Sequence, residues 1–169
     1  MKLYIAGPLF TPYHRAFHQE NVKWLRQAGH ECFVPQEQEH NAHESKSVPE
    51  QVFQVDLAGV QWANALVALL DGPDVSSGTA CEMGIFYELA QHDPTKIGLL
   101  GILTDERPRR RDSSNVGESI NFFTLGCLLK AGAVYPSVEG VIEHLARWEK
   151  EVAQKVAQAV AEGAPETLV

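Results

Sequence analysis

In the run Asp71-Gly72-Pro73-Asp74-Val75-Ser76-Ser77-Gly78-Thr79-Ala80-Cys81-Glu82-Met83-Gly84, a single carboxylate follows a Gly/Pro/Ser loop at the start of a helical pattern. The apolar stretch before it, Ala65 to Leu70, is too short for a helix and reads as a buried strand. A carboxylate just beyond the carboxyl end of such a strand stands where open α/β sheets bind ligands, which makes Glu82 the first residue to weigh for chemistry. Thr79-x-x-Glu82 also fits a capping box, in which the Glu closes back on the cap residue's N–H. The Gly-rich loop favours function, because it lets backbone approach a ligand. Local sequence leaves both readings open.

A second carboxylate, Asp56, lies in the helical stretch that feeds the same strand, and could reach the same crevice. Its neighbours Val52, Phe53, Val55, Leu57 and Val60 are apolar, so it is expected at the edge of the core. Tyr4, inside the first strand, reads as a core aromatic, yet a buried phenol needs a hydrogen-bond partner and a carboxylate would supply one. The loop Gly7-Pro8-Leu9-Phe10 ends that strand, where Phe10 could stack on a planar ligand or cap the core. His14 and His18 are one helical turn apart, but with no third ligand they read as a solvated face rather than a metal site, as do His40 and His43 in their loop. Arg107, Arg109, Arg110 and Arg111 read as a solvent loop able to meet a phosphate or an acidic surface.

These residues need a scaffold. Short apolar strands alternate with amphipathic segments, the pattern of a parallel sheet built from βαβ units. The expected order is a strand over 2–6, a helix over 13–28 stopped by Gly29, a strand over 30–34, and a polar loop over 36–48. Pro49 opens a helix to Trp62, since its missing N–H costs nothing there. The strand over 65–70, the Glu82 helix to His92, a strand over 96–103, a charged loop over 104–115, a helix to Lys130 and a short strand at 133–135 follow. Val138, Val141, Ile142, Leu145, Trp148, Val152 and Val156 recur at helical spacing, so residues 137–169 read as an amphipathic helix and tail after an α/β unit over 1–136.

Composition limits the partners. The 169 residues carry a formal net charge of −8, which argues against a nucleic-acid polymer. No apolar run approaches a membrane span. The start of the chain runs straight into a strand, so no signal peptide is expected, and the three scattered cysteines suggest reduced thiols in the cytoplasm. Neither GxGxxG nor a Walker motif occurs, which disfavours dinucleotides and nucleoside triphosphates.

Taken together, these motifs resemble the nucleoside 2-deoxyribosyltransferase family. Tyr4-Ile5-Ala6-Gly7-Pro8-Leu9-Phe10 is similar to its opening strand and base-binding loop, Asp56-Leu57-Ala58-Gly59 to a helix segment, and Leu69-Leu70-Asp71-Gly72 to a strand end. Ser77-Gly78-Thr79-Ala80-Cys81-Glu82-Met83-Gly84 resembles its nucleophile motif, while Thr104-Asp105-x-Arg107 and Asn121 fit the elements that follow. The resemblance implies a single flavodoxin-like, doubly wound α/β domain with five mainly parallel strands and helices on both faces. It implies transfer of 2-deoxyribose between nucleobases, with Glu82 as nucleophile, Asp56 managing the proton on the base, and Tyr4 orienting Glu82. Gly7, Phe10, Asp71, Ser76, Gly78 and Asn121 would contact substrate, and no metal or organic cofactor is implied. Asn121 would complete a neighbouring subunit's site in a homo-oligomer. The family's transferases usually carry Asp where Ser76 stands, whereas related hydrolases of deoxynucleoside 5′-monophosphates carry Ser. Asp74 could substitute for that Asp if the loop bulges. Such a hydrolase, or a nucleoside-sensing module without turnover, are the alternatives.

Overall fold

The computed structural model of the chain describes residues 1–39, 48–107 and 120–161. His40, His43 and Arg109 to Arg111 lie outside the described residues. The elements follow the expected alternation: β1 (Lys2–Ala6), α1 (Pro12–Gln27), β2 (Glu31–Phe33), α2 (Pro49–Trp62), β3 (Ala65–Leu69), α3 (Ser77–His92), β4 (Gly98–Ile102), α4 (Phe122–Ala131), β5 (Gly132–Tyr135) and α5 (Val138–Ala161). A 3-10 turn, Pro35–Glu37, follows β2. Gln36, expected in a polar loop, is buried in that turn and donates to the Arg15 carbonyl at 3.2 Å.

The five strands form one sheet in the order β2-β1-β3-β4-β5, every neighbouring pair parallel. This is the flavodoxin-like winding, with its topological switch between β1 and β3. Alternation along the strands divides the core. Tyr4, Ala6, Leu66 and Leu99 face one layer with Val60 of α2, Met83 and Phe86 of α3, and Leu128 of α4. Leu3, Ile5, Val67 and Leu100 face the other, with Val22 and Leu25 of α1 and Val141 and Leu145 of α5. The period of two decides which layer each strand residue joins, so Tyr4 must point toward α2 and α3.

Local chemistry sets the element ends. Thr11 caps α1 by accepting from His14 N at 3.1 Å, with Pro12 in the first turn. Gly29, at φ +94, follows α1 in a backbone conformation that side chains disfavour. Pro49 opens α2 as expected. Among the described residues no helix is long and apolar enough to cross a membrane.

Candidate active site

α3 begins one turn earlier than the capping-box reading requires. Its cap is Ser76, whose hydroxyl accepts from Thr79 N at 3.4 Å and lies 3.2 Å from Thr79 Oγ1. Thr79 is thus inside the helix and 1% exposed, and Glu82 stands in the second turn, out of reach of a cap. Thr79, Met83 and Phe86 form the buried face of α3, and Glu82 lies on its edge, half-buried. The Tyr4 hydroxyl donates to Glu82 Oε1 at 2.7 Å.

That contact lies at the switch between β1 and β3, and its electrostatics are unusual. Burial raises the Glu82 pKa to about 7; the Tyr4 hydrogen bond pulls it back down, and the charge of Asp56 adds to the rise. Burial also pushes the Tyr4 phenol far above its ordinary value, helped by the charges of Glu82 and Asp56, so Tyr4 remains a fixed donor. Asp56 is half-buried on α2 and acts electrostatically on both. Titratable groups from β1, α2 and α3 therefore influence one another here, Tyr4 and Glu82 through a direct hydrogen bond and Asp56 through its charge. The Tyr4 ring is fully buried and stacks on Phe33 of β2, with centroids 5.4 Å apart and planes 13° from parallel.

Phe33 and Gly59 belong to this assembly; Phe33 was not singled out from sequence, and Gly59 only as the end of the segment Asp56-Leu57-Ala58-Gly59. A Cβ added to Gly59 would stand 2.6 Å from the Phe33 ring, so only glycine in α2 lets Phe33 lie flat against Tyr4. The signal was a glycine in a helix interior, where it is normally unfavourable.

The remaining expected residues are distributed around the carboxyl edge of the sheet. Phe10 is 90% exposed after β1, which excludes a core-capping role. Gly7 precedes it. Gly78, in the first turn of α3, has open space: a Cβ there would meet only Ser76 Oγ, at 4.0 Å. Asp71 is committed within the fold, accepting from Thr104 N at 2.9 and 3.1 Å, Thr104 Oγ1 at 2.9 Å and Asp105 N at 2.9 Å. It ties the ends of β3 and β4 together, and the exposed Arg107 forks onto the Asp105 carboxylate. Asn121 caps α4, its Oδ1 accepting from Phe123 N at 3.0 Å and Thr124 N at 3.3 Å, while its own N–H donates to Asp74 Oδ1 at 3.4 Å. Asp74 also accepts from Val75 N at 2.8 Å, which leaves it tied to its own loop.

The histidine reading needs correction. His18 is fully buried, not on a solvated face, because it shares the inward stripe of α1 with Val22 and Leu25. Among the described residues no group of three or more His, Cys, Asp or Glu is arranged to hold a metal. An open groove of about 660 Å³ beside Lys23, Arg26 and Glu37 shares no residue with the Tyr4–Glu82 contact.

A carboxylate with a raised pKa, fixed by one phenol and within the electrostatic reach of a second carboxylate, can act as a nucleophile or exchange a proton near neutral pH. Against known proteins, the family model for nucleoside 2-deoxyribosyltransferase matches residues 3–122. Comparison with curated proteins finds no match. Among solved structures, a conserved protein from Enterococcus faecalis V583 is 26% identical over 87% of this chain and 98% of its own, with a TM-score of 0.70. A 2-deoxyribosyltransferase from Bacillus psychrosaccharolyticus is 23% identical over 84% of this chain and 90% of its own, at TM-score 0.62. A 2-desoxiribosyltransferase from Leishmania mexicana is 20% identical over 86% and 96%, at TM-score 0.60; both share the fold.

Proposed function

This chain belongs to the nucleoside 2-deoxyribosyltransferase family, a family of enzymes, and from that membership we propose that it moves 2-deoxyribose between nucleobases through a glycosyl ester on Glu82. The observation that carries the reading is the 2.7 Å hydrogen bond from a fully buried tyrosine to a carboxylate at the sheet's switch point.

In this scheme one Glu82 carboxylate oxygen attacks C1′ of a bound deoxynucleoside. The C1′–N bond breaks toward the base, which leaves with its electron pair. Departure is easier if the base is protonated, and Asp56 supplies or accepts that proton. The transition state carries oxocarbenium character, so an anionic Glu82 stabilises it before bonding to it. A second base then attacks C1′ from the opposite face, releases the carboxylate and retains configuration, by the two-step logic of retaining glycosidases. Tyr4 holds Glu82 in one rotamer throughout. Exposed Phe10 offers a face for stacking the base, and the Gly7 and Gly78 backbones allow close approach.

Asn121 is proposed to reach the 5′-group of a neighbouring subunit's substrate, in a homo-oligomer. Cytoplasmic location fits the free cysteines Cys32, Cys81 and Cys127. Ser76 supports a second reading, hydrolysis of deoxynucleoside 5′-monophosphates, because a hydroxyl tolerates phosphate where a carboxylate would repel it. Incubation with deoxyinosine and adenine, and separately with deoxynucleoside monophosphates, distinguishes them. New deoxyadenosine supports transfer; free base with deoxyribose 5-phosphate supports hydrolysis. Neither product with either substrate would remove both.

A further inference from the structure

The hydrogen bond that fixes Glu82 starts from a hydroxyl at the far tip of the Tyr4 ring, so a tilt of that ring is felt most at this bond. Parallel pairing sets Tyr4 beside Phe33 of β2 on one side and Leu66 of β3 on the other. Side chains in register on neighbouring strands share a face of the sheet. From that position Phe33 lies against Tyr4, its plane 13° from parallel and its centroid 5.4 Å away. Because β2 is the edge strand, no further strand braces Phe33, and Gly59 of α2 lies against its ring instead.

A Cβ at position 59 would stand 2.6 Å from Phe33 Cδ1 and Cε1 and 2.8 Å from Cγ. Those atoms include the root of the ring, which cannot swing clear as the tip of a flexible chain could. The clash would tip the ring out of the stack or lift α2, which carries Asp56 one turn earlier. Filling space does not explain this pair. Alanine in α2 opposite a smaller residue in β2 would fill it too, and would suit the helix better. What the glycine preserves is a flat aromatic ring beside Tyr4, and stacked rings hold one another to preferred orientations.

We propose that Phe33 is a positioning residue: with Gly59 against it, its ring sets the tilt of Tyr4 and so the point where the Tyr4 hydroxyl meets Glu82. The consequence for sugar transfer rests on the transferase reading; the effect on Glu82 does not. Phe33 acts through a group engaged in the bond-breaking step, so its role belongs to kcat rather than to KM.

Phe33→Leu keeps an apolar side chain and removes the flat ring. With deoxyinosine and adenine as substrates, it is expected to lower kcat by about tenfold, the effect of losing one hydrogen bond, with KM within about twofold of wild type. Phe33→Tyr, which retains a ring, is expected to recover most of the rate. The decisive comparison is made in a Tyr4→Phe background, where there is no hydroxyl to aim. There Phe33→Leu is expected to cost less than about twofold more. Carbon-13 NMR of the Glu82 carboxyl against pH, in ligand-free protein, needs no turnover. The Tyr4 hydrogen bond lowers the Glu82 pKa, so Phe33→Leu is expected to move this titration to higher pH in the wild-type background and not in Tyr4→Phe. If the wild-type chain transfers no sugar, the transferase reading fails, and the titration alone decides the positioning role. An unmoved titration in Phe33→Leu overturns the proposal, as does an effect as large in the Tyr4→Phe background as in wild type. Should Phe33→Leu fail to fold, Phe33→Met carries the same measurements.

Discussion

The Tyr4 hydroxyl meets Glu82 Oε1 at 2.7 Å across 78 residues of sequence, joining the middle of β1 to the second turn of α3. With Ser76 capping α3, Glu82 is engaged by Tyr4 and is not closing a helix cap. The contact also makes the ionisation of Glu82 depend on Tyr4.

Tyr4→Phe removes the donor and leaves the ring stack on Phe33. The Tyr4 hydrogen bond lowers the Glu82 pKa, so its loss raises that pKa further. The acid limb of kcat/KM is expected to move to higher pH, with kcat at its plateau down by about tenfold to a hundredfold, as for a hydrogen bond to a charged group. A limb that moves to lower pH would contradict the arrangement.

Glu82 also makes stability depend on pH, and the sign follows from its raised pKa. The folded value, about 7, exceeds the ordinary 4.5, so the folded state favours the protonated form. The associated stability is fully present below pH 4.5 and is lost as pH rises through 7. Glu82→Gln, which cannot ionise, is expected to gain on the order of 2 kcal/mol relative to wild type at pH 8 and little at pH 4. Denaturant titrations at the two pH values check this, and the same variant should lose transfer activity.

Ser76 has a structural duty as well as a proposed one. Ser76→Ala removes the α3 cap and is expected to cost about 0.5–2 kcal/mol. Ser76→Asp keeps a good cap, so it should fold normally while discriminating against a 5′-phosphate. Monophosphate kinetics that do not change in Ser76→Asp would detach Ser76 from substrate choice.

Asn121 caps α4 within its own chain, and its proposed reach into a neighbouring site is open to complementation. Glu82→Ala and Asn121→Ala proteins are each expected to be inactive or strongly impaired. Mixed and allowed to exchange subunits, they should regain activity, because a hybrid pair holds one site with both residues intact. If the mixture is no more active than its components, Asn121 acts only in its own subunit.

Much of this molecule can be read along the chain. The apolar run before Asp71, the alternation of strands with amphipathic helices, Pro49 and Gly29 at helix ends, and the Glu82 motif depend on near neighbours and on strict periods of two or 3.6 residues. Even the burial of His18 had a signal, since His18, Val22 and Leu25 fall on one stripe of α1. Reading that pair with His14 as a solvated face gave spacing between histidines more weight than the stripe.

Other features exist only once the chain is packed. Whether Ser76 or Thr79 caps α3 depends on which of them the sheet buries, and both are good cap residues by type. The pairing of Tyr4 with Glu82, the flat Phe33 ring cleared by Gly59, and the raised pKa of Glu82 join β1, β2, α2 and α3, which no local window contains. Asp71 illustrates the same point: its type suits a ligand contact, but β4 brings Thr104 and Asp105 to its oxygens. Residue types and spacing are local properties and determine the elements, the winding and the presence of a carboxylate near the start of α3. Burial and long-range hydrogen bonds are properties of the packed molecule, and they decide which proton that carboxylate holds and which group holds it in place.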